Sequence, residues 1–301
     1  MICDAHCHFF SSSFFRTLGR DVASPASGDA ADSLPARLGW DPPGEDTTLA
    51  DRWIAELDKH QVARAMLIAS VPGDEQAVAA AVSRHPSRFV GAFMFNPSGP
   101  DAAARLDRAF ADSSLTTVCL FPAMHHVRLD DPAVDAVFAA AALRRRVVFV
   151  HCGVLSVGVR KKLGLPSRFD VRLGDPLAVA AAAVRHPEVP VIIPHFGAGF
   201  FREALMAAEI APNLLLDTSS SNNWIRYQPG LTLADVFARA LEVLGPARLL
   251  FGTDSSFFPR GWQRGIHATQ REILDRLDVD ADAQAQLFGG NFSRVFGTPT
   301  L

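Results

Sequence analysis

The stretch Arg64-Ala-Met-Leu-Ile-Ala-Ser70, a helical run over 74–85 and the stretch Phe89-Val-Gly-Ala-Phe-Met-Phe95 decide the architecture of this chain. The two flanking stretches are continuously apolar rather than alternating, as strands buried on both faces of a parallel sheet must be. Outward from this unit the same alternation runs to both ends. A short strand over 2–5 precedes it. Strands over 117–122, 147–152, 189–195, 214–218 and 249–254 follow, separated by helices over 101–111, 132–144, 176–185, 201–210 and 233–244. Helical segments over 264–277 and 282–288 close the chain. Eight such units in 301 residues predict one α/β domain over 1–301, a single (β/α)8 TIM barrel rather than an open doubly wound sheet.

The exception to the alternation is a long loop after the first strand, 10–46, rich in Ser, Gly and Asp and broken by Pro25, Pro35, Pro42 and Pro43. Its Phe14, Phe15, Leu38 and Trp40, with Arg16, Arg20 and Arg37, read as an irregular active-site lid. Thr47 or Thr48 then caps a helix ending near Lys59.

Composition narrows the function. A net charge of -3, 20% charged residues and no basic run point away from nucleic acid and membrane surfaces and toward small molecules. Cys3, Cys7, Cys119 and Cys152 lie in or beside apolar runs with no C-x-x-C spacing, the pattern of reduced core thiols in a cytoplasmic protein. No leader-like or bilayer-length apolar run is present. Nor does a glycine-rich phosphate loop follow any strand.

The active site of such a barrel lies at the C-terminal strand ends, so polar residues there carry a functional expectation. Strand one ends in Asp4-Ala-His6-Cys-His8, where alternation in an extended chain sends His6 and His8 to one side. Strand five ends in His151, strand six in His195 and strand eight in Asp254. Imidazole and carboxylate converging from four strands are suited to a metal ion.

Together, Asp4-Ala-His6-Cys-His8, the run from Phe121-Pro122 through Leu129-Asp-Asp-Pro132 to Val150-His151-Cys-Gly153, Pro194-His195-Phe-Gly197 and Gly252-Thr-Asp254 resemble the amidohydrolase superfamily. The likeness is to its amidohydrolase-related branch, which includes aminocarboxymuconate-semialdehyde decarboxylase and several lactone hydrolases, and it covers nearly the whole chain. It implies His6, His8, His151 and Asp254 as metal ligands. His195 is implied to contact substrate or assist proton transfer, with Asp254 as the second catalytic group. Many binuclear members carry a lysine or glutamate on strand four. Here that strand reads Thr117-Val-Cys119-Leu-Phe121-Pro, with Cys119 read as a buried structural thiol, so one divalent metal is expected, zinc ahead of manganese or iron.

Arg16, Arg20, Arg260 and Arg264 are candidates for a substrate carboxylate, and Phe257, Phe258 and Trp262 beside Arg260 suggest a specificity loop. His125 and His126 read as solvated loop histidines. The leading expectation is a metal-dependent hydrolase of a small lactone, ester or amide, with a non-oxidative decarboxylase of the same branch as the alternative. A TatD-like nuclease and a non-catalytic metal-binding barrel rank below these. Related barrels pair, so a homodimer is expected by resemblance.

Overall fold

The computed structural model describes residues 1–22, 28–220 and 222–298; Pro25 of the long loop lies outside them. Eight parallel strands follow one another in chain order around one sheet: β1 (Ile2–Phe9), β2 (Val62–Ala69), β3 (Phe89–Phe95), β4 (Leu115–Leu120), β5 (Val147–Val150), β6 (Val191–Ile193), β7 (Leu214–Asp217) and β8 (Leu249–Leu250). The helices are α1 (Ser12–Gly19), α2 (Ala30–Leu38), α3 (Asp46–Lys59), α4 (Glu75–Arg84), α5 (Ala102–Ala111), α6 (Pro122–His125) and α7 (Pro132–Arg144). They continue as α8 (Gly158–Lys162), α9 (Pro176–Arg185), α10 (Phe201–Ile210), α11 (Leu233–Leu244), α12 (Arg264–Arg276), α13 (Ala281–Ala285) and α14 (Asn291–Phe296). The expected barrel is present, and α7, α9, α10 and α11 keep their expected bounds.

Local chemistry explains those bounds. Asp131 and Asp175 each accept a hydrogen bond from the second amide of a helix that begins with proline, whose fixed φ and missing N–H suit the first helical position. Thr232 and Asp235 form a reciprocal capping box on α11. The chain turns differently at two other places. Glu45, rather than Thr47 or Thr48, stands at the start of α3. Strands β6 and β8 stop earlier than their apolar runs, because the backbone leaves the ladder to present His195 and Asp254.

Two apolar layers hold the barrel. Its interior is filled by Cys3, Ala5, Met66, Ile68, Met94, Cys119, Phe149, Ile192, Leu215 and Leu250. The opposite strand faces, with Phe9, Leu67, Phe93, Val118, Val148 and Leu216, pack under the helices. Cys119 is therefore an inward core thiol, and burial pushes its pKa up. All four cysteines are buried and unpaired. Within the described residues no helix is long and apolar enough to cross a membrane.

The described residues of the 10–46 segment hold two short helices rather than being irregular throughout. Ser11 caps α1, Asp29 caps α2, and Phe14, Phe15, Leu18, Leu34 and Trp40 form a small core of their own. Phe10 stacks on Phe14 at 4.2 Å and Trp40 on Phe257 at 3.8 Å. Asp74, buried after β2, fastens this layer: both its oxygens accept from the Ser11 hydroxyl at 2.8 Å. Burial raises its pKa to about 7 against the pull of the Ser11 and Ser13 hydroxyls.

The folded protein thus retains a proton on Asp74 that the unfolded chain, with a pKa near 3.8, releases. This contribution to stability is whole below about pH 4 and lost as pH rises through 7. Asp74→Asn keeps the hydroxyl bond without an ionisable proton. It is expected to raise the unfolding free energy at pH 8 by on the order of 1–3 kcal/mol and to change it little at pH 4. Urea titrations at the two pH values measure this, and an equal effect at both contradicts it.

Candidate active site

Strand β1 carries two imidazoles into the barrel by breaking its own alternation. Asp4 pairs with Ala65, but the next partners are Cys7 and Leu67, so three residues of β1 span two of β2. The resulting bulge shifts the phase. Cys3 and Ala5 face the interior before it, whereas Cys7 and Phe9 face the helices after it. His6 and His8 are left on the inner side. Asp4 does not share that side, contrary to strict alternation. It is fully buried at the seam with β8, accepting from the Thr253 amide at 3.1 Å, the Thr253 hydroxyl at 2.5 Å, the His6 amide at 2.9 Å and the Trp262 indole at 2.7 Å.

Across that seam Asp254 is held by two backbone bonds. Its amide donates to the His6 carbonyl at 2.9 Å, and the His8 amide donates to the Ser255 carbonyl at 2.7 Å. Asp254 itself has φ 59°, and His195 has φ 55°, a conformation that non-glycine residues adopt at a cost and that clusters at functional sites. Gly252 allows the close approach behind His6: a Cβ there would lie 2.9 Å from the His6 Cβ and 3.0 Å from that of Ser219.

The outcome is a compact donor set. His8 Nε2 lies 3.1 Å and His6 Nε2 3.9 Å from Asp254 Oδ1. Within the described residues, His6, His8 and Asp254 form one group with donor atoms inside 4.8 Å of one another, and His6, His195 and Asp217 form another. His151 is outside both close groups. Its ring lies 5.4 Å from that of His195 and stacks on Phe121 at 5.4 Å, and its buried Nδ1 has no hydrogen-bond partner among the described residues.

The far nitrogens of the histidine pair are fixed from behind. His6 Nδ1 bonds Asp217 Oδ2 at 2.7 Å, and His8 Nδ1 bonds the Ser70 hydroxyl at 2.7 Å, which itself donates to the Ile68 carbonyl. With Nδ1–H given to a carboxylate, His6 Nε2 keeps a lone pair for the barrel interior. Ser219 Oγ lies 2.8 Å from His195 Nδ1 and 3.1 Å from His6 Nδ1, and the Ser219 amide donates to Asp217 at 2.6 Å.

Electrostatics follow from these contacts. Burial disfavours a charged His6, but the adjacent Asp217 carboxylate outweighs it and raises the pKa to about 8. Burial also opposes ionisation of Asp254; the His8 hydrogen bond and the His6 charge hold it well below the usual carboxylate range. Burial, then neighbouring imidazoles, push His151 and His195 down. Two imidazole nitrogens and an ionised carboxylate oxygen, with a further buried imidazole lacking a partner, fit a divalent cation.

The other expected contacts separate. Arg260 reaches the rim, donating to the Asp254 carbonyl at 3.2 Å and the Ser256 hydroxyl at 2.7 Å. Arg16 pairs with Asp29, and Arg20 and Arg264 are exposed. Trp262 is 3% exposed, its indole bound to Asp4; it belongs to the supporting core rather than the bowl surface. His125 is not solvated: burial lowers its pKa to about 4. Asp217, Ser219 and Ser70 had no expected role, although Leu-Leu-Leu-Asp217 repeats the signal of an acid ending an apolar strand.

A model of the amidohydrolase family matches residues 3–298. No curated protein matches the chain. Among solved structures, the chain is similar to an amidohydrolase from Burkholderia multivorans with bound zinc, at TM-score 0.66 and 15% identity over 99% of this chain and 100% of that one. It is also similar to a manganese complex of 5-carboxyvanillate decarboxylase from Novosphingobium aromaticivorans, at TM-score 0.62 and 17% identity over 98% and 96%. A third is a probable 2-pyrone-4,6-dicarboxylic acid hydrolase from Acinetobacter baumannii with citric acid bound, at TM-score 0.61 and 14% identity over 98% and 99%. Because the family match runs through almost the full length rather than one segment, the chain belongs to the amidohydrolase family, whose members are metal-dependent hydrolases or non-oxidative decarboxylases.

Proposed function

We propose that the chain is a mononuclear metal-dependent hydrolase of a small lactone, ester or amide, with His6, His8, His151 and Asp254 as ligands and zinc as the metal ahead of manganese or iron. The observation that carries this reading is the convergence of His6 Nε2 and His8 Nε2 on Asp254 Oδ1, each imidazole braced through its other nitrogen. Strand β4 offers no lysine or glutamate to bridge a second ion; Cys119 is its apolar residue in the barrel interior. A bound divalent cation supplies Lewis acidity and lowers the pKa of water in the bowl.

The chain's own residues do the rest. Asp254, kept ionised, accepts the proton of the attacking water. His195, whose ring lies 4.9 Å from that of His6, polarises the carbonyl or protonates the leaving group. Its Nδ1 contact with Ser219 fixes the ring so that Nε2 serves the substrate. Arg260 at the rim anchors a carboxylate.

Decarboxylation is the second reading, favoured by the similarity to a 5-carboxyvanillate decarboxylase. There the acid of the site protonates the substrate carbon as carbon dioxide leaves. Screening lactones beside aromatic and unsaturated acids separates the two, since a ring-opened acid supports hydrolysis and released carbon dioxide supports the alternative.

Metal analysis by mass spectrometry of protein purified without added metal is expected to give about one equivalent per wild-type chain and little for His6→Ala/His8→Ala. Two equivalents at full occupancy contradict a mononuclear site. Asp217→Asn retains the shape behind His6 but removes the carboxylate charge. It is expected to weaken metal affinity by roughly 10–100-fold in a chelator competition, whereas unchanged affinity would show that Asp217 does not tune the ligand.

A further inference from the structure

Between α12, α13 and the start of β1 lies a cavity of about 400 Å³, a volume within the range of small-molecule sites. Ile2 opens β1, and the far part of that strand carries His6 and His8, so the cavity lies at the opposite end of the barrel from the histidines. One wall is apolar, made of Ile2, Ala281, Ala285 and Phe288. The other is polar, made of His267, Arg271 and Asp275, which recur every fourth residue along α12 and therefore share one face of it.

These polar groups are not spent on one another. The side chains of His267 and Arg271 make no hydrogen bond or ion pair among the described residues. Burial and the Arg271 charge favour the neutral form of His267, and its ring packs against Phe288 at 4.9 Å and Phe251 at 5.5 Å. Asp275 stands one turn from Arg271, about 5–6 Å between Cβ atoms on an ideal helix, yet its Oδ1 accepts from the Gln284 amide nitrogen at 2.9 Å instead. That nitrogen also donates to the Val279 carbonyl at 3.0 Å. Asp275 Oδ2 and Gln284 Oε1 remain as acceptors beside the Arg271 donors.

A cation and an anion side by side, unpaired with each other and facing one apolar wall, complement a ligand that carries both charges on an apolar body. A simple anion would meet Asp275, and a simple cation would meet Arg271. We propose that this cavity binds an apolar α-amino acid as its zwitterion. The carboxylate pairs with Arg271, the ammonium with Asp275 and Gln284, and the side chain packs against Phe288 and Ile2. At the barrel's far end such a ligand is not the substrate, so the inference stands apart from the catalytic reading.

The test is isothermal titration of the metal-loaded protein with L-phenylalanine, beside hydrocinnamate, which lacks the ammonium, and phenethylamine, which lacks the carboxylate. Wild type is compared with Arg271→Ala, with Asp275→Asn, which keeps an acceptor for Gln284, and with Arg276→Ala, which removes an exposed charge bonded to the Glu272 carbonyl. The proposal expects L-phenylalanine to bind wild type more tightly than either analogue, to bind roughly tenfold more weakly in both cavity variants and to be indifferent to Arg276→Ala. No binding of L-phenylalanine to wild type, or unchanged affinity in the cavity variants, overturns the site. Hydrocinnamate binding as tight as L-phenylalanine and indifferent to Asp275→Asn overturns the zwitterion in favour of a plain carboxylate. In His6→Ala/His8→Ala the affinity is expected to stay within about twofold of wild type, as for distant independent sites. Binding lost in that variant but kept in Arg271→Ala puts the ligand in the bowl and overturns the assignment.

Discussion

The buried carboxylate of Asp4 is the joint on which the site depends. A (β/α)8 barrel has to close its last strand against its first, and here β8 contributes only Leu249–Leu250 to the regular ladder. Regular pairing therefore does not carry the seam. Ala5 takes the Phe251 carbonyl at 2.8 Å, Asp254 takes that of His6, and Asp4 gathers donors from both strands and from Trp262. A buried carboxylate is stable only when its acceptor positions are filled, and burial does push this one up in pKa against its donors. The same residues that close the barrel set the separation between the His6-His8 pair and Asp254.

Much of this was legible in the sequence, for identifiable reasons. A parallel sheet covered on both faces demands uninterrupted apolar strands, so the strand–helix alternation that is plainest at β2 and β3 can be followed through all eight units. Polar residues ending such strands stand out against that background, which marks His6, His8, His151, His195 and Asp254. The bulge between Asp4 and Cys7 leaves no compositional trace, because it arises from closing the barrel. Strict alternation consequently puts Asp4 on the wrong side. Asp217 carries the same strand-end signal as Asp254, but only the folded chain shows that it faces His6 Nδ1 rather than the bowl. Trp262 was misplaced for the opposite reason. Its aromatic neighbours Phe257 and Phe258 suggest a contact loop, yet its indole N–H is used to satisfy Asp4. The proline-broken 10–46 segment hid α1 and α2 because Pro35 sits within α2 rather than ending it, and Phe14 and Phe15 of α1, with Trp40 just past α2, supply a local core.

The electrostatic arrangement suits a site that has to stay poised near neutral pH. Asp217 favours a proton on His6 Nδ1, Ser70 orients His8, and these imidazoles in turn keep Asp254 ionised despite burial. His195 and His151 are driven toward the neutral form. Metal binding and proton exchange both need imidazoles that can be neutral beside an ionised carboxylate, so His6, whose pKa Asp217 raises to about 8, releases its second proton as a cation binds. That shared requirement is why one constellation serves both hydrolysis and decarboxylation, leaving the choice to groups at the mouth such as Arg260.

The central claim is that one metal ion is held by the His6-His8 pair and Asp254. A crystal of the zinc-loaded protein, with anomalous differences recorded at the zinc edge, tests it most directly. The account predicts a single strong peak per chain, about 2.0–2.2 Å from His6 Nε2, His8 Nε2 and an Asp254 oxygen, with His151 completing the set. A peak between His195 and Asp217, or two peaks in the bowl, would contradict it.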